Sequence, residues 1–398
     1  MKNNNNIKFI SQGSFGCLFK PAITCDGMID KSIKYITKIQ KNKNNSKQEL
    51  YIGSIIKNIS NFPLYFAPLL DSCEVDIGNY IDSEFQKCDF IDKPSDMQQN
   101  MSFEINKLMF IGNETLHIYF INLIKQNNMK KFIIKFFSNF LHLIDGYHKL
   151  SNEGIVHFDC KLDNIVCKSN GLPIIIDFGI SFNINDLLSN NKLIKNTFYN
   201  YAPSYNTWCI DIHIINYMVQ YIGSNVDSIP DLLAIPVSIE TICNCINDVF
   251  TSKNSIVKLL SADEFNKYKN NLIAYFSNII NSKGNKWGYI YENLIDNYKS
   301  WDLYSVFIIY LHLFYGLQID SYSDNFTSLS FLKNEFIKFF TTMPNERPSH
   351  NCIIQHFKQN LQVISSEEFN LIQTHIHTYT NDNIINITNS IQNITKES

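Results

Sequence analysis

The chain carries no strong charge of either sign and no apolar run long enough to cross a bilayer, and both absences narrow what it can do. Its 34 lysines and arginines nearly balance 37 acidic residues, for a net charge of −3. Bulk electrostatics therefore give no pull toward nucleic acid or an anionic membrane, and neither is expected as a partner. The longest apolar stretches, Phe132 to Ile144 and Ser305 to Leu317, are broken by Lys135, His142 and His312. Both fall short of the ~20 residues a membrane-spanning helix needs, so they read as buried helices of a globular body. Met1 to Asn6 lacks the apolar core of a signal peptide. The ten cysteines contain no C-x-x-C pair, and Cys243 and Cys245, one residue apart, are poorly spaced for a zinc knuckle. Reduced thiols in a cytoplasmic protein are the expectation.

What is present supports a large core: 45% of the 398 residues are hydrophobic and 14% aromatic. The first hundred residues alternate short apolar pieces with polar turns, and Ile7 to Phe19, Tyr35 to Ile39 and Phe66 to Ser72 read as strands. Between the second and third, Leu50, Ile52, Ile55, Ile56 and Ile59 recur at helical spacing. Glu74 to Ser102 is polar and weakly periodic, a loop insertion before a strand ending near Phe110. From Asn113 the pattern turns helical, and Phe132 to Leu150 is the strongest apolar helix.

Two segments carry chemistry. Gly154 to Val166 and Ile174 to Gly179 each deliver a carboxylate, Asp159 and Asp177, from an apolar strand piece to a polar turn, with Lys161 and Asn164 fixed between them. Phosphoryl transfer from a metal-bound nucleotide asks for this inventory: oxygen ligands for Mg²⁺, a cation for the moving phosphoryl group and a carboxylate to orient the attacking hydroxyl. His157-Phe158-Asp159-Cys160-Lys161-Leu162-Asp163-Asn164 and Asp177-Phe178-Gly179 resemble the catalytic loop H-R-D-L-x-x-x-N and the D-F-G motif of eukaryotic-type protein kinases. The wording around Gly13 to Pro21 and the composition look most like the divergent serine/threonine kinases of giant DNA viruses, which would place the chain in host cytoplasm or a virion.

The resemblance implies an α+β, two-lobed fold: a small antiparallel sheet lobe over 7–112 and a larger helical lobe over 113–361. An insertion is expected at about 212–300, and 362–398 is expected to be a helix and a polar, partly disordered tail. It also implies ATP and Mg²⁺ as cofactors and a protein Ser/Thr hydroxyl as acceptor. Ser11, Gln12, Gly13, Ser14, Phe15, Gly16, Cys17 and Leu18 match the phosphate-covering loop, with Ser11 in place of its first glycine. Lys38 corresponds to the lysine that meets the α- and β-phosphates. Glu49, the only acidic residue between Lys38 and Asp71, corresponds to its ion-pair partner. Asp159 is the implied catalytic base and Lys161 the cation at the γ-phosphate, while Asn164 and Asp177 are the implied metal ligands. Asp163 reads as a turn-capping residue instead.

Asp302, rather than Asp211, is expected to brace the catalytic loop. The activation segment is expected to end at Tyr201-Ala202-Pro203-Ser204, with Thr197 near the base. Two departures stand out: Phe158 replaces the arginine of H-R-D, implying activity without activation-loop phosphorylation, and Ser204 removes the usual acidic partner of Arg347. A pseudokinase scaffold and a small-molecule phosphotransferase remain open as alternatives.

Overall fold

A computed structural model describes residues 7–13, 16–30, 32, 34–40, 43–76, 84–89, 102–112, 114–126, 129–251, 260–316 and 327–361. Ser14 and Phe15 and the tail at 362–398 lie outside the described residues, as does most of the 74–102 insertion. The chain is mixed α+β and divides into two units, one comprising Met1–Asn113 with Val166–Ser181, the other Glu114–Ile165 with Phe182–Ser398.

The first unit is built on an antiparallel sheet. Its strands are β1 (Lys8–Gly13), β2 (Gly16–Lys20), β3 (Tyr35–Gln40), β4 (Phe66–Ala67), β5 (Leu69–Asp76) and β6 (Ser102–Met109), with one helix, α1 (Lys43–Ile56), after β3. Five of the strands form a sheet in the order β1-β2-β3-β6-β5, every neighbour antiparallel. The hairpin between β1 and β2 closes with Gly13 opposite Gly16. A Cβ on Gly16 would press into the backbone carbonyl of Ile39, so the close approach of β2 to β3 requires glycine there. β4 pairs in parallel with the strand Pro173–Ile176, which delivers the chain to Asp177.

One face of the sheet is filled by Ile7, Cys17, Phe19, Ile39, Phe103 and Ile105 against Phe85 and Cys88, and Phe19 stacks on Phe85 with ring centroids 4.7 Å apart. Two disulfides tie this unit together, Cys17 to Cys88 and Cys25 to Cys73. They correct the expectation that all ten cysteines are reduced thiols. Sequence spacing could not reveal them, because the partners are 71 and 48 residues apart and only the fold brings their Cα atoms to 5.9 and 5.7 Å. The remaining six cysteines form no disulfide among the described residues.

The second unit is helical. It opens with α2 (Leu116–Lys125) and α3 (Met129–Asn152). Along α3, Phe132, Phe136, Phe140, Leu143, Ile144, Tyr147 and Leu150 are buried at three- and four-residue steps, one continuous apolar face. That face packs on the helix Trp301–Gly316, where Phe140 meets Phe307 and Tyr310 edge-on at 5.3 and 5.0 Å. Every residue from Trp301 to Phe314 is buried, which makes this the central helix of the unit. The 212–300 region is a succession of helices, chief among them Ile239–Val249, Ala262–Lys283 and Trp287–Ile295. Among the described residues no helix is long and apolar enough to cross a membrane.

Candidate active site

Each unit holds one cluster of the residues singled out by sequence. In the first unit Lys38 lies on β3 and Glu49 on α1, while Asp177 follows the strand Pro173–Ile176. The Lys38 ammonium reaches Glu49 Oε2 at 3.3 Å and Asp177 Oδ1 at 3.2 Å. Burial works against the charged ammonium, but Asp177 and then Glu49 outweigh it and hold its pKa above the ordinary lysine value. Burial pushes the Glu49 carboxyl up, against the pull of Lys38. Lys34, the other lysine in phase on this strand, is exposed.

Two carboxylates thus share one ammonium, and the buried Glu49 Oε1 has no hydrogen-bond partner among the described residues. This surplus of hard, negative oxygen fits a divalent cation, and Asp177 is the less buried of the two acids. Asp177 also adopts a left-handed backbone, φ 62°. For a residue with a Cβ that conformation costs about 1–3 kcal/mol; with the neighbouring Phe178 buried against Phe66 at 6.3 Å, the turn is held in place.

The second unit holds the catalytic-loop residues. Gly154, φ 73°, turns the end of α3 into the strand Ile155–Val156, which pairs with Phe182–Asn183. The loop that follows is braced by Asp302, which accepts the backbone N–H of His157 at 2.8 Å and of Phe158 at 3.1 Å. Burial raises the Asp302 carboxyl above its ordinary value, in spite of His157 and these two N–H groups. Phe158, like Asp177, is left-handed, φ 69°. The Asp159 N–H lies 3.3 Å from the His157 ring at Nδ1.

Asp159 is 7% exposed and is surrounded by donors. Lys161 Nζ lies 3.0 Å from its Oδ2, and the Asn164 amide donates to the same oxygen at 2.8 Å and to the Asp159 backbone carbonyl at 2.9 Å. With its nitrogen committed to Asp159, Asn164 keeps its side-chain oxygen for a metal. Asp163 is exposed and lies 3.8 Å from the His117 ring, away from this cluster.

Three features were not foreseen. The hydroxyl of Tyr205 donates a hydrogen bond to Asp159 Oδ1, whereas Thr197 ends a short helix, Lys192–Thr197. Arg347, the sole arginine in the sequence, finds its acceptor in Asp211 at 2.8 Å, with both side chains 0% exposed. Asp211 stands at the start of the helix Ile210–Tyr217. Finally, Phe158, in place of an arginine, sits in an aromatic cluster with Phe182, Phe198 and Trp208 at 4.9–5.7 Å.

No family model matches the chain. The chain is 29% identical over 206 residues to a probable serine/threonine-protein kinase of Dictyostelium discoideum, covering 51% of this chain and 37% of that protein. It is 39% identical over 56 residues to the fatty acyl-CoA synthetase and RNA processing-associated kinase 1 of Saccharomyces cerevisiae, covering 14% of this chain and 6% of that one. The matches therefore span little more than a third of the first relative's length and a small fraction of the second's. The similarity supports a protein-kinase-like superfamily. Both relatives are eukaryotic and carry no support for the viral resemblance.

Proposed function

We propose that residues 7–361 form an ATP-dependent protein kinase that transfers the γ-phosphoryl group to serine or threonine hydroxyls. The observation that carries this reading is Asp159, a buried carboxylate whose Oδ2 is held by Lys161 and Asn164 at 3.0 and 2.8 Å, so that its position is fixed before any acceptor arrives. A group so placed orients an acceptor hydroxyl and takes its proton as the phosphoryl group departs ADP. Lys161 offsets negative charge on that phosphoryl group. Lys38, anchored by Glu49 and Asp177, contacts the α- and β-phosphates, and the backbone N–H groups of Gly13 and of Gly16 to Leu18 are offered to the phosphate oxygens. Asp177 and the Asn164 side-chain oxygen would hold Mg²⁺, which neutralises phosphate charge when bound. Preference for serine and threonine is supported by Lys161 and by the similarity to the probable serine/threonine-protein kinase of Dictyostelium.

The test is purified protein with γ-labelled ATP, Mg²⁺ and a mixed protein substrate. Wild type is expected to label Ser/Thr, and Asp159→Asn to lose about 10²–10⁴-fold in rate, the usual worth of a positioned general base. Asp177→Ala should abolish the metal dependence along with transfer. Labelling that survives both substitutions would remove the reading, and labelling confined to a metabolite would move it to a small-molecule phosphotransferase.

A further inference from the structure

The hydrogen bonds around Asp159 already engage both carboxylate oxygens. Oδ2 is taken by Asn164 and Lys161, and Oδ1 by the hydroxyl of Tyr205. A general base must have an oxygen within hydrogen-bond reach of the proton it takes. An incoming Ser or Thr hydroxyl presents the same donor to the same atom that the phenol already occupies.

The phenol is held there by structure particular to this chain. Its ring packs edge-on against Trp208, centroids 4.8 Å apart. The Trp208 indole N–H in turn donates to the Phe158 carbonyl at 2.7 Å, and its ring lies against Phe158 at 4.9 Å. The departure from H-R-D thus builds the platform on which Tyr205 rests. Burial first, and then the charge of Asp159, push the phenol pKa well up, so the group stays a donor. The tyrosine is only half-buried, and it sits in a turn with exposed Tyr199, Asn200 and Ser204 close by in sequence.

We propose that Tyr205 gates the acceptor position: its hydroxyl plugs Asp159 Oδ1, and a substrate hydroxyl binds only by displacing it. This inference rests on the protein-kinase reading. It adds a residue that sets how readily acceptors bind, without altering the phosphoryl-transfer step itself.

The experiment compares wild type, Tyr205→Phe and Asp159→Asn in steady state with ATP and a degenerate Ser/Thr peptide mixture. Phenylalanine keeps the ring on Trp208 and removes only the plug. The expected result is a peptide KM lowered about tenfold, the scale of one charge-assisted hydrogen bond no longer displaced, with kcat and the ATP KM unchanged. A general loosening of the fold would raise both KM values instead. Transfer that appears only in Tyr205→Phe supports the gate in its strongest form. Transfer that Asp159→Asn abolishes, but that Tyr205→Phe leaves at the same or a higher peptide KM, overturns the gate and leaves the kinase reading standing. Phosphate mapped to Tyr205 itself also overturns it, by making the hydroxyl an acceptor rather than a plug. Absence of transfer from all three proteins overturns the kinase reading, and the gate falls with it.

Discussion

Replacing Arg347 by methionine should destabilise the helical unit by about 3–5 kcal/mol, and replacing Asp211 at the same time should restore most of that loss. Both side chains are 0% exposed, and Nη2 lies 2.8 Å from Asp211 Oδ2. The remaining contacts are few. Nη1 donates to Ser300 Oγ at 3.1 Å, the guanidinium lies 5.3 Å from the Tyr304 ring centroid, and Nε is buried with no hydrogen-bond partner among the described residues. Asp211 Oδ1 receives the Trp301 indole N–H at 3.2 Å. Removing the arginine leaves a buried carboxylate with only neutral donors, the Trp301 indole and the Cys209 thiol, and an uncompensated buried charge costs about 3–5 kcal/mol. Arg347→Met with Asp211→Leu removes both charges and fills the space with apolar groups, an exchange that is often neutral or stabilising by about 1–4 kcal/mol. The assay is urea unfolding followed by tryptophan fluorescence. Trp208, Trp287 and Trp301 are the only tryptophans, and all belong to the helical unit, so the signal reports that unit alone even if the two units unfold separately. A cost below about 1 kcal/mol for Arg347→Met, or a double variant as unstable as the two single losses added together, would refute the argument.

Four further outcomes are expected. Burial depresses His213 to about 3, His350 to about 3 and His312 to about 4. As pH falls below about 6.5 the unfolded chain binds protons that the folded chain refuses, so stability present above that pH is lost toward pH 4 at up to about 1.4 kcal/mol per pH unit per histidine; equal urea midpoints at pH 7.5 and 5.5 would contradict this. Reduction of the two disulfides, which close loops of 71 and 48 residues, should destabilise the sheet unit by about 4 kcal/mol each by the chain-entropy estimate, read as protease cleavage within 7–112 only after reductant; failure to find linked peptides in a non-reducing digest would end the idea. Asp302→Asn should slow phosphoryl transfer about tenfold or more by weakening the support of His157 and Phe158, with ATP affinity unchanged; a matching loss of ATP affinity would count against a role confined to the loop. Phosphatase treatment should leave activity unchanged, since Phe158 offers no buried positive charge for an activation-loop phosphate to neutralise; a large loss tied to a phosphate at 180–200 would show otherwise.

Local pattern carried much of the fold and part of the site. The alternation of apolar and polar residues before Gly53 and the three- and four-residue steps of Phe132, Phe136 and Phe140 are short-range signals, and they produce β1 to β3 and α3 directly. Glu49 could be named because no other acid competes with it between Lys38 and Asp71. The cysteine pairs, Asp211 and Tyr205 were not legible for one shared reason: each acts on a partner far away in sequence, and the fold alone chooses that partner. Arg347 shows the limit well. A lone arginine between prolines announces that something must neutralise it if it is buried, yet the 136 residues separating it from Asp211 give no hint which acid does so.

Phe158 ties these long-range choices together. An arginine at that position would bring a charge into the space between Phe182, Phe198 and Trp208, where it would need a counter-charge to be tolerated. With phenylalanine the space is filled by ring contacts at 4.9–5.7 Å instead. The segment that follows Phe198 is then fixed by aromatic packing rather than by an ion pair. Trp208 is the hinge of that substitution, since it meets Phe158 with its ring and its N–H and presents the opposite part of its surface to Tyr205. The same change that removes a phosphate-responsive charge therefore places a hydroxyl on the Asp159 carboxylate. Control over the base passes from a charge that a modifying enzyme could answer to a hydrogen bond that an acceptor must break.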